Sequence, residues 1–214
     1  MDQDRQLLTD RLPPALLDAL APHGQIRKFP AHAILINEGD TTDSLYIVLA
    51  GRVKTYTSSD NGREVVLADY SAGEYFGELS LDGAKRSASI KAVEACTCRV
   101  VQGSELRKFL ADHPDFALHL THKLIRMVRR LTEQIRSVAL QDVYGRMVRV
   151  LMELSEPAGD QRVITRKLTQ QDIADRVGAT REAVNRVMKE LIAGGYVMQR
   201  DGQIVILRSL PHGL

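Results

Sequence analysis

One backbone turn and two side chains within one short stretch have the chemistry to hold a sugar phosphate. The stretch runs Gly73-Glu74-Tyr75-Phe76-Gly77-Glu78-Leu79-Ser80-Leu81, and a helical turn beginning at Gly77 would aim unpaired backbone N–H groups at an anion. Arg86, in Asp82-Gly83-Ala84-Lys85-Arg86-Ser87-Ala88, supplies a planar fork that grips the same anion in two places. Glu78 repels that anion, yet a carboxylate is the right acceptor for sugar hydroxyls. One anion cradle, one arginine and one carboxylate together describe a ribose-phosphate site.

A second constellation lies between Thr169 and Leu191, where two short helices are broken by a turn at Gly178-Ala179. Thr169 with Asp172 three residues on makes a capping box for the first helix, whose buried face is Ile173, Ala174 and Val177. Thr180 caps the second. There Val184, Val187, Met188 and Leu191 recur at the i, i+3, i+4, i+7 spacing of a core stripe, which leaves Glu182, Asn185, Arg186 and Lys189 on the other face. Arg181 sits in the first turn, where the helix dipole disfavours a cation, so phosphate or guanine explains it better than helix stability does. Gly194-Gly195, a strand Tyr196 to Met198, a turn at Asp201-Gly202 and a strand Ile204 to Leu207 complete a winged helix-turn-helix. Double-stranded DNA is the expected partner.

The elements that must position these groups follow from periodicity. A short helix is expected from Pro14 to Leu20. From Ile26 to Val101 the pattern turns to period-two runs at Ala33–Ile36, Ser44–Leu49, Val53–Thr57, Glu64–Tyr70, Ser89–Val93 and Cys96–Val101, punctuated by glycine turns as a small antiparallel roll requires. Asp115 to Ala139 carries Ala117, Thr121, Leu124, Val128, Leu131, Ile135 and Val138 at alternating spacings of four and three, a two-stranded coiled-coil seam that predicts a homodimer. Its outer faces read as basic, through Lys123, Arg126, Arg129, Arg130 and Arg136. Gln141 to Leu154 is a further striped helix, and Ser155 to Asp160 a loop.

Composition narrows the class. The net charge of +2 is too small to decide anything, but from Gln141 onward 11 Lys and Arg face 9 Asp and Glu, so the positive excess lies in the DNA-reading part. No apolar run approaches the ~20 residues of a membrane span, and the N-terminus lacks the order of a signal peptide, so a cytoplasmic protein with no membrane partner is expected. Cys96 and Cys98, as i, i+2 neighbours on a strand, read as reduced, buried small side chains rather than as part of an Fe–S or zinc site. His119 and His122 read as packing or surface histidines. No catalytic residue, metal or resident cofactor is expected.

The segment Phe76-Gly77-Glu78-Leu79-Ser80-Leu81 followed by Arg86-Ser87-Ala88 resembles the phosphate-binding cassette of cyclic-nucleotide-binding domains. The winged helix with Thr180-Arg181-Glu182-Ala183-Val184-Asn185-Arg186 resembles the cAMP receptor protein and fumarate-nitrate regulator family, and the likeness runs from about Leu16 to Leu207. It implies an α+β chain: a cupin-like antiparallel β-roll as sensor over 1–113, a long dimerisation helix over 114–140 and a winged helix-turn-helix over 141–214. By the resemblance, Glu78 takes the ribose 2′-hydroxyl and Arg86 and Ser87 the cyclic phosphate, with Phe76, Gly77, Leu79, Ser80 and Ala88 shaping the site. The purine falls at Leu131 and Thr132, of which only Thr132 has a hydroxyl. Arg181, Glu182 and Arg186 take base edges of a palindromic operator with TGTGA-like half-sites, with Thr169, Gln170, Thr180, Asn185 and Lys189 beside them.

The effector so implied is cAMP or cGMP; the arginines of the long helix would also suit the two phosphates of cyclic di-GMP. RNA polymerase is a further partner implied for a regulator of this kind. The ligand would turn the readers until their recognition helices lie one DNA turn apart, ~34 Å. The rival from another class is a metal-dependent cupin enzyme, which needs histidines on the roll; between Ala33 and Val101 there is none.

Overall fold

The computed structural model describes residues 10–200 and 202–211. These form two compact units, one of residues 10–59 with 66–129, the other of 60–65 with 130–200 and 202–211.

In the first unit, α1 (Pro14–Leu20) starts at the proline whose missing N–H costs a first turn nothing, and it buries Leu16 and Leu20. Eight strands follow: β1 (Gly24–Phe29), β2 (Ile34–Ile36), β3 (Leu45–Ala50), β4 (Arg52–Ser58), β5 (Glu64–Ser71), β6 (Tyr75–Phe76), β7 (Ser89–Ala92) and β8 (Cys96–Val101). They make two four-stranded sheets, β1-β8-β3-β6 and β2-β7-β4-β5. Period-two alternation explains how β3 serves two cores at once. Tyr46 and Val48 point into the roll with Val53, Phe76, Ile90, Cys96, Cys98 and Val100. Leu45 and Ile47 point outward, under a helical cover that includes Leu16, Leu106, Phe109 and Phe116. That cover is α1, α2 (Gly103–Asp112) and the start of α3 (Pro114–Leu140).

The exposed apolar stripe of α3 differs by one step from the expected seam. Ala117 and Leu124 are half-buried, while Leu118, Ile125, Val128, Leu131, Ile135 and Val138 are exposed. The stripe is therefore Leu118-Thr121-Ile125-Val128 continued through Leu131, Ile135 and Val138, because the sensor side of the helix claims the neighbouring positions.

The second unit holds α4 (Val143–Leu154), β9 (Glu156–Ala158), β10 (Gln161–Ile164), α5 (Gln170–Val177), α6 (Arg181–Ala193), β11 (Val197–Arg200) and β12 (Gln203–Ile206). The stretch from Ser155 to Asp160, expected as loop, carries a strand, and β9 and β10 pair across Ala158 and Gln161. One sheet, β11-β12-β10-β9, therefore underlies the helices. A single core joins Met147, Leu151, Ile173, Val177, Val184, Met188 and Leu191 to Ile164, Val197 and Ile206 of that sheet. Among the described residues no helix is long and apolar enough to cross a membrane, and no group of His, Cys, Asp and Glu is arranged to hold a metal.

Candidate functional site

The segment expected to cradle an anion hangs from β6, which pairs with β3 through Tyr46↔Phe76 and Ile47↔Tyr75. Phe76 is buried and stacks on Tyr46 with ring centroids 5.1 Å apart. The chain then turns at Gly77, whose φ of +91° is left-handed. A Cβ there would stand 2.7 Å from the Ser44 carbonyl oxygen and 2.9 Å from Nη1 of Arg86, so glycine is required twice over. The expected helical turn is a 3-10 turn over Glu78–Asp82.

Arg86 is buried, and its guanidinium organises the loop. Nη1 donates to the Gly77 carbonyl and to Oγ of Ser80, both at 2.8 Å, Nη2 to the Ser44 carbonyl at 2.7 Å and Nε to Oγ1 of Thr42 at 3.1 Å. Among the described residues, one of the five guanidinium hydrogens is left without an acceptor. Burial lowers the arginine's pKa from its usual value. Gly77, Ser80 and Arg86 are thus one hydrogen-bonded cluster. Leu79 and Ser87 are exposed at its rim, and Ala88 is buried beneath it.

Glu78 is occupied by a partner that sequence patterning assigned to solvent. Lys123, expected on a basic outer face of α3, is fully buried, and its Nζ lies 3.2 Å from Oε2 of Glu78. The ammonium also donates to the Tyr75 carbonyl and stands 3.8 Å from the Tyr75 ring centroid and 5.1 Å from that of Tyr70. Burial lowers the lysine pKa, and the Glu78 charge opposes that shift. The available signal was spacing: Phe116, His119 and Lys123 follow i, i+3, i+7, but two of the three are polar, so an apolar-stripe search passes over them.

His119 is also fully buried. Its Nε2 lies 3.1 Å from the Arg11 carbonyl, which can only accept, so Nε2 carries the proton and Nδ1 accepts from the Tyr75 hydroxyl at 3.2 Å. Arg126, two turns further along α3, pairs with Asp10 at 2.8 Å. Leu131 and Thr132, expected at the purine, lie in the second unit and are exposed on α3.

In the reader the local chemistry is as the sequence spelled it. Oγ1 of Thr169 accepts from the Asp172 N–H at 3.1 Å, and the Asp172 carboxylate accepts from the Thr169 N–H at 2.8 Å. Gly178 turns the chain with φ of +66°, and Thr180 caps α6 by accepting from the Ala183 N–H at 3.2 Å. Val184, Val187, Met188 and Leu191 are buried. Arg181, Glu182, Arg186 and Lys189 are exposed together on the opposite face, and Asn185 and Gln170 are half-buried. Arg200 faces Gln203 across the wing turn; Asp201, expected in that turn, is outside the described residues.

Two family models match the chain: the cyclic nucleotide-binding domain over residues 26–113 and the Crp-like helix-turn-helix domain over residues 145–209. The cAMP-activated global transcriptional regulator CRP of Haemophilus influenzae is 33% identical over 185 residues, covering 82% of this chain and 81% of that one. The CRP-like cAMP-activated global transcriptional regulator of Mycobacterium tuberculosis is 31% identical over 201 residues, covering 92% and 90%. In fold, the chain is similar to the c-di-GMP responsive global regulator CLP of Xanthomonas campestris, with a TM-score of 0.81, 24% identity and coverage of 92% and 100%. With both domains matched in order and relatives above 30% identity along most of their length, the chain belongs to the CRP/FNR family of ligand-responsive transcription regulators.

Proposed function

We propose that this regulator is a cytoplasmic homodimer that binds a cyclic nucleotide in its β-roll and answers by repositioning its two recognition helices on a palindromic operator. The observation that carries the proposal is Arg86, buried at the centre of a glycine-started turn with one donor unspent. A buried guanidinium in a loop of carbonyls and hydroxyls is a site for a phosphate diester, with Ser87 at its rim. Glu78 supplies the acceptor for the ribose hydroxyl, and Leu131 and Thr132 the purine contact. The exposed stripe of α3 supports dimerisation, since Ile125, Val128, Ile135 and Val138 are apolar side chains that a second copy would cover. Arg181, Glu182 and Arg186 would read bases; Thr169, Gln170, Thr180 and Lys189 would hold the duplex in register. RNA polymerase is the partner that a regulator bound to such an operator would engage.

Relatives named as cAMP-activated favour cAMP as the effector. Cyclic di-GMP is the second candidate, because a fold neighbour is described as responsive to it and Arg129 is exposed on α3. Calorimetry of the purified protein against cAMP, cGMP and cyclic di-GMP tests the assignment. Binding of one of them should weaken by ~2 to 5 kcal/mol in Arg86→Ala, as when a buried charged contact is truncated. An unchanged dissociation constant in that variant would remove Arg86 from the site.

A further inference from the structure

Lysine is the side chain least suited to complete burial, because its ammonium is compact and strongly hydrated. In this chain Lys123 is buried without remainder, inside the sensor unit and against the anion cassette. Among the described residues its surroundings compensate the lost water through the Tyr75 carbonyl, two tyrosine ring faces and a single carboxylate at 3.2 Å. Two other acids add to the field around it, Asp10 and Glu74. Both have other bonds: Asp10 pairs with Arg126, and Glu74 accepts from the Ser71 N–H at 2.6 Å and the Ser71 hydroxyl at 2.9 Å. Glu78 is therefore the counter-ion on which Lys123 depends.

Glu78 is itself half-committed. Its Oε2 is buried and, although close to the ammonium, receives no directed hydrogen bond. It follows Gly77 directly, whose carbonyl binds Arg86. One carboxylate thus pairs with an internal cation of α3 and belongs to the residue next to Gly77, whose carbonyl Arg86 holds.

We propose that Lys123 is an internal occupant of the effector site: its ammonium holds Glu78 in the free protein, and a ligand hydroxyl must win the same carboxylate from it. Ligand binding and the docking of the first turns of α3 on the sensor then compete for one group. A ligand hydroxyl that draws the Glu78 carboxylate away from Nζ weakens the pairing of a charge that is still buried, and that part of the helix then shifts. This rests on the nucleotide reading of the cassette, and it adds a cost of binding that the cassette residues alone do not contain.

The test compares full-length wild type, Lys123→Gln and Lys123→Arg by calorimetry with cAMP, cGMP and cyclic di-GMP. Glutamine keeps a donor for the Tyr75 carbonyl and deletes the charge; arginine keeps the charge. Lys123→Gln should bind its nucleotide at least tenfold more tightly than wild type, and Lys123→Arg should bind like wild type. Loss of a merely structural lysine would not tighten binding. If wild type binds and a folded Lys123→Gln binds no tighter, the competition is wrong while the nucleotide site stands. If none of the three ligands binds either protein, both ideas fall. Hydrogen exchange on unaltered wild type gives a check independent of folding in the variants. Saturating nucleotide should speed exchange over residues 116–126 of α3, and unchanged or slower exchange there overturns the proposal.

Discussion

Nε2 of Gln170 on α5 donates to Oδ1 of Asn185 on α6 at 3.1 Å, so two side chains expected at DNA are bonded to each other. Reading adenine takes both ends of an asparagine amide, one accepting from N6 and one donating to N7. While Gln170 holds the oxygen, Asn185 has only its NH2 group to offer. Gln170→Ala should therefore release Asn185 and add an adenine preference at one operator position, at a stability cost of about 0.5 to 1.5 kcal/mol for the lost bond. Selection from a randomised operator library, together with urea unfolding, measures both. An unaltered base preference would show that Asn185 only ties the two helices together.

Glu182 and Lys189, both exposed on α6, are expected to separate specification from positioning. Glu182→Ala should relax preference at one base pair by ~1 to 3 kcal/mol and leave the salt dependence nearly unchanged, since a carboxylate displaces no counterion. Lys189→Ala should weaken all sequences about equally and reduce the slope of log K against log salt by roughly one. Operator selection at two salt concentrations distinguishes them. Retention of the full base preference in Glu182→Ala would put the recognition face elsewhere on α6.

His119 gives stability a pH dependence of known sign. Burial is the main cause that lowers its pKa below the usual 6.5. As pH falls through 6.5 the unfolded chain takes the proton first, so stability decreases from there down to the folded pKa, by at most about 1.4 kcal/mol per pH unit. His119→Gln can keep the bonds to the Arg11 carbonyl and the Tyr75 hydroxyl without titrating. The stability of wild type relative to this variant, from urea unfolding, should fall between pH 6.5 and pH 5; a constant difference would mean that His119 is protonated equally in both states.

Cys96 and Cys98 point into the roll from alternate positions of β8, where burial raises both thiols, Cys98 up to about 12. Their thiolate fraction near neutral pH is correspondingly small. An aromatic disulfide reagent at pH 8 should leave both untouched in the folded protein and label both in denaturant. Rapid labelling without denaturant would show that the roll opens.

The reader was legible in the sequence because its boundaries are written in side chains: Thr169, Asp172, Gly178 and Thr180 each perform a local bond or turn that needs no distant partner. The strand β1 was not among the expected runs, and its burial explains why. Gln25 to Lys28 are all exposed, so no alternation marks it, and it is fixed by pairing with β8. The β9–β10 hairpin escaped because β9 is three residues long and contains Pro157, which reads as a breaker. In the sensor, Gly77, Glu78 and Arg86 stood out by type and spacing, whereas Lys123 did not. A charge on a helix is normally a solvated one, and the carboxylate that makes burial tolerable comes from a different element.

The pairing of Ile164 with Ile204 has a mechanical consequence. The chain leaves β10, runs through both reader helices and the strand β11, and returns as β12 beside the strand it left, so the recognition helix sits in a loop closed by buried strand pairs. Turning α6 against the wing would require breaking that closure as well as the core beneath it. The reader should therefore behave as one stiff piece, to which α4 and β9 are joined through the same core and sheet.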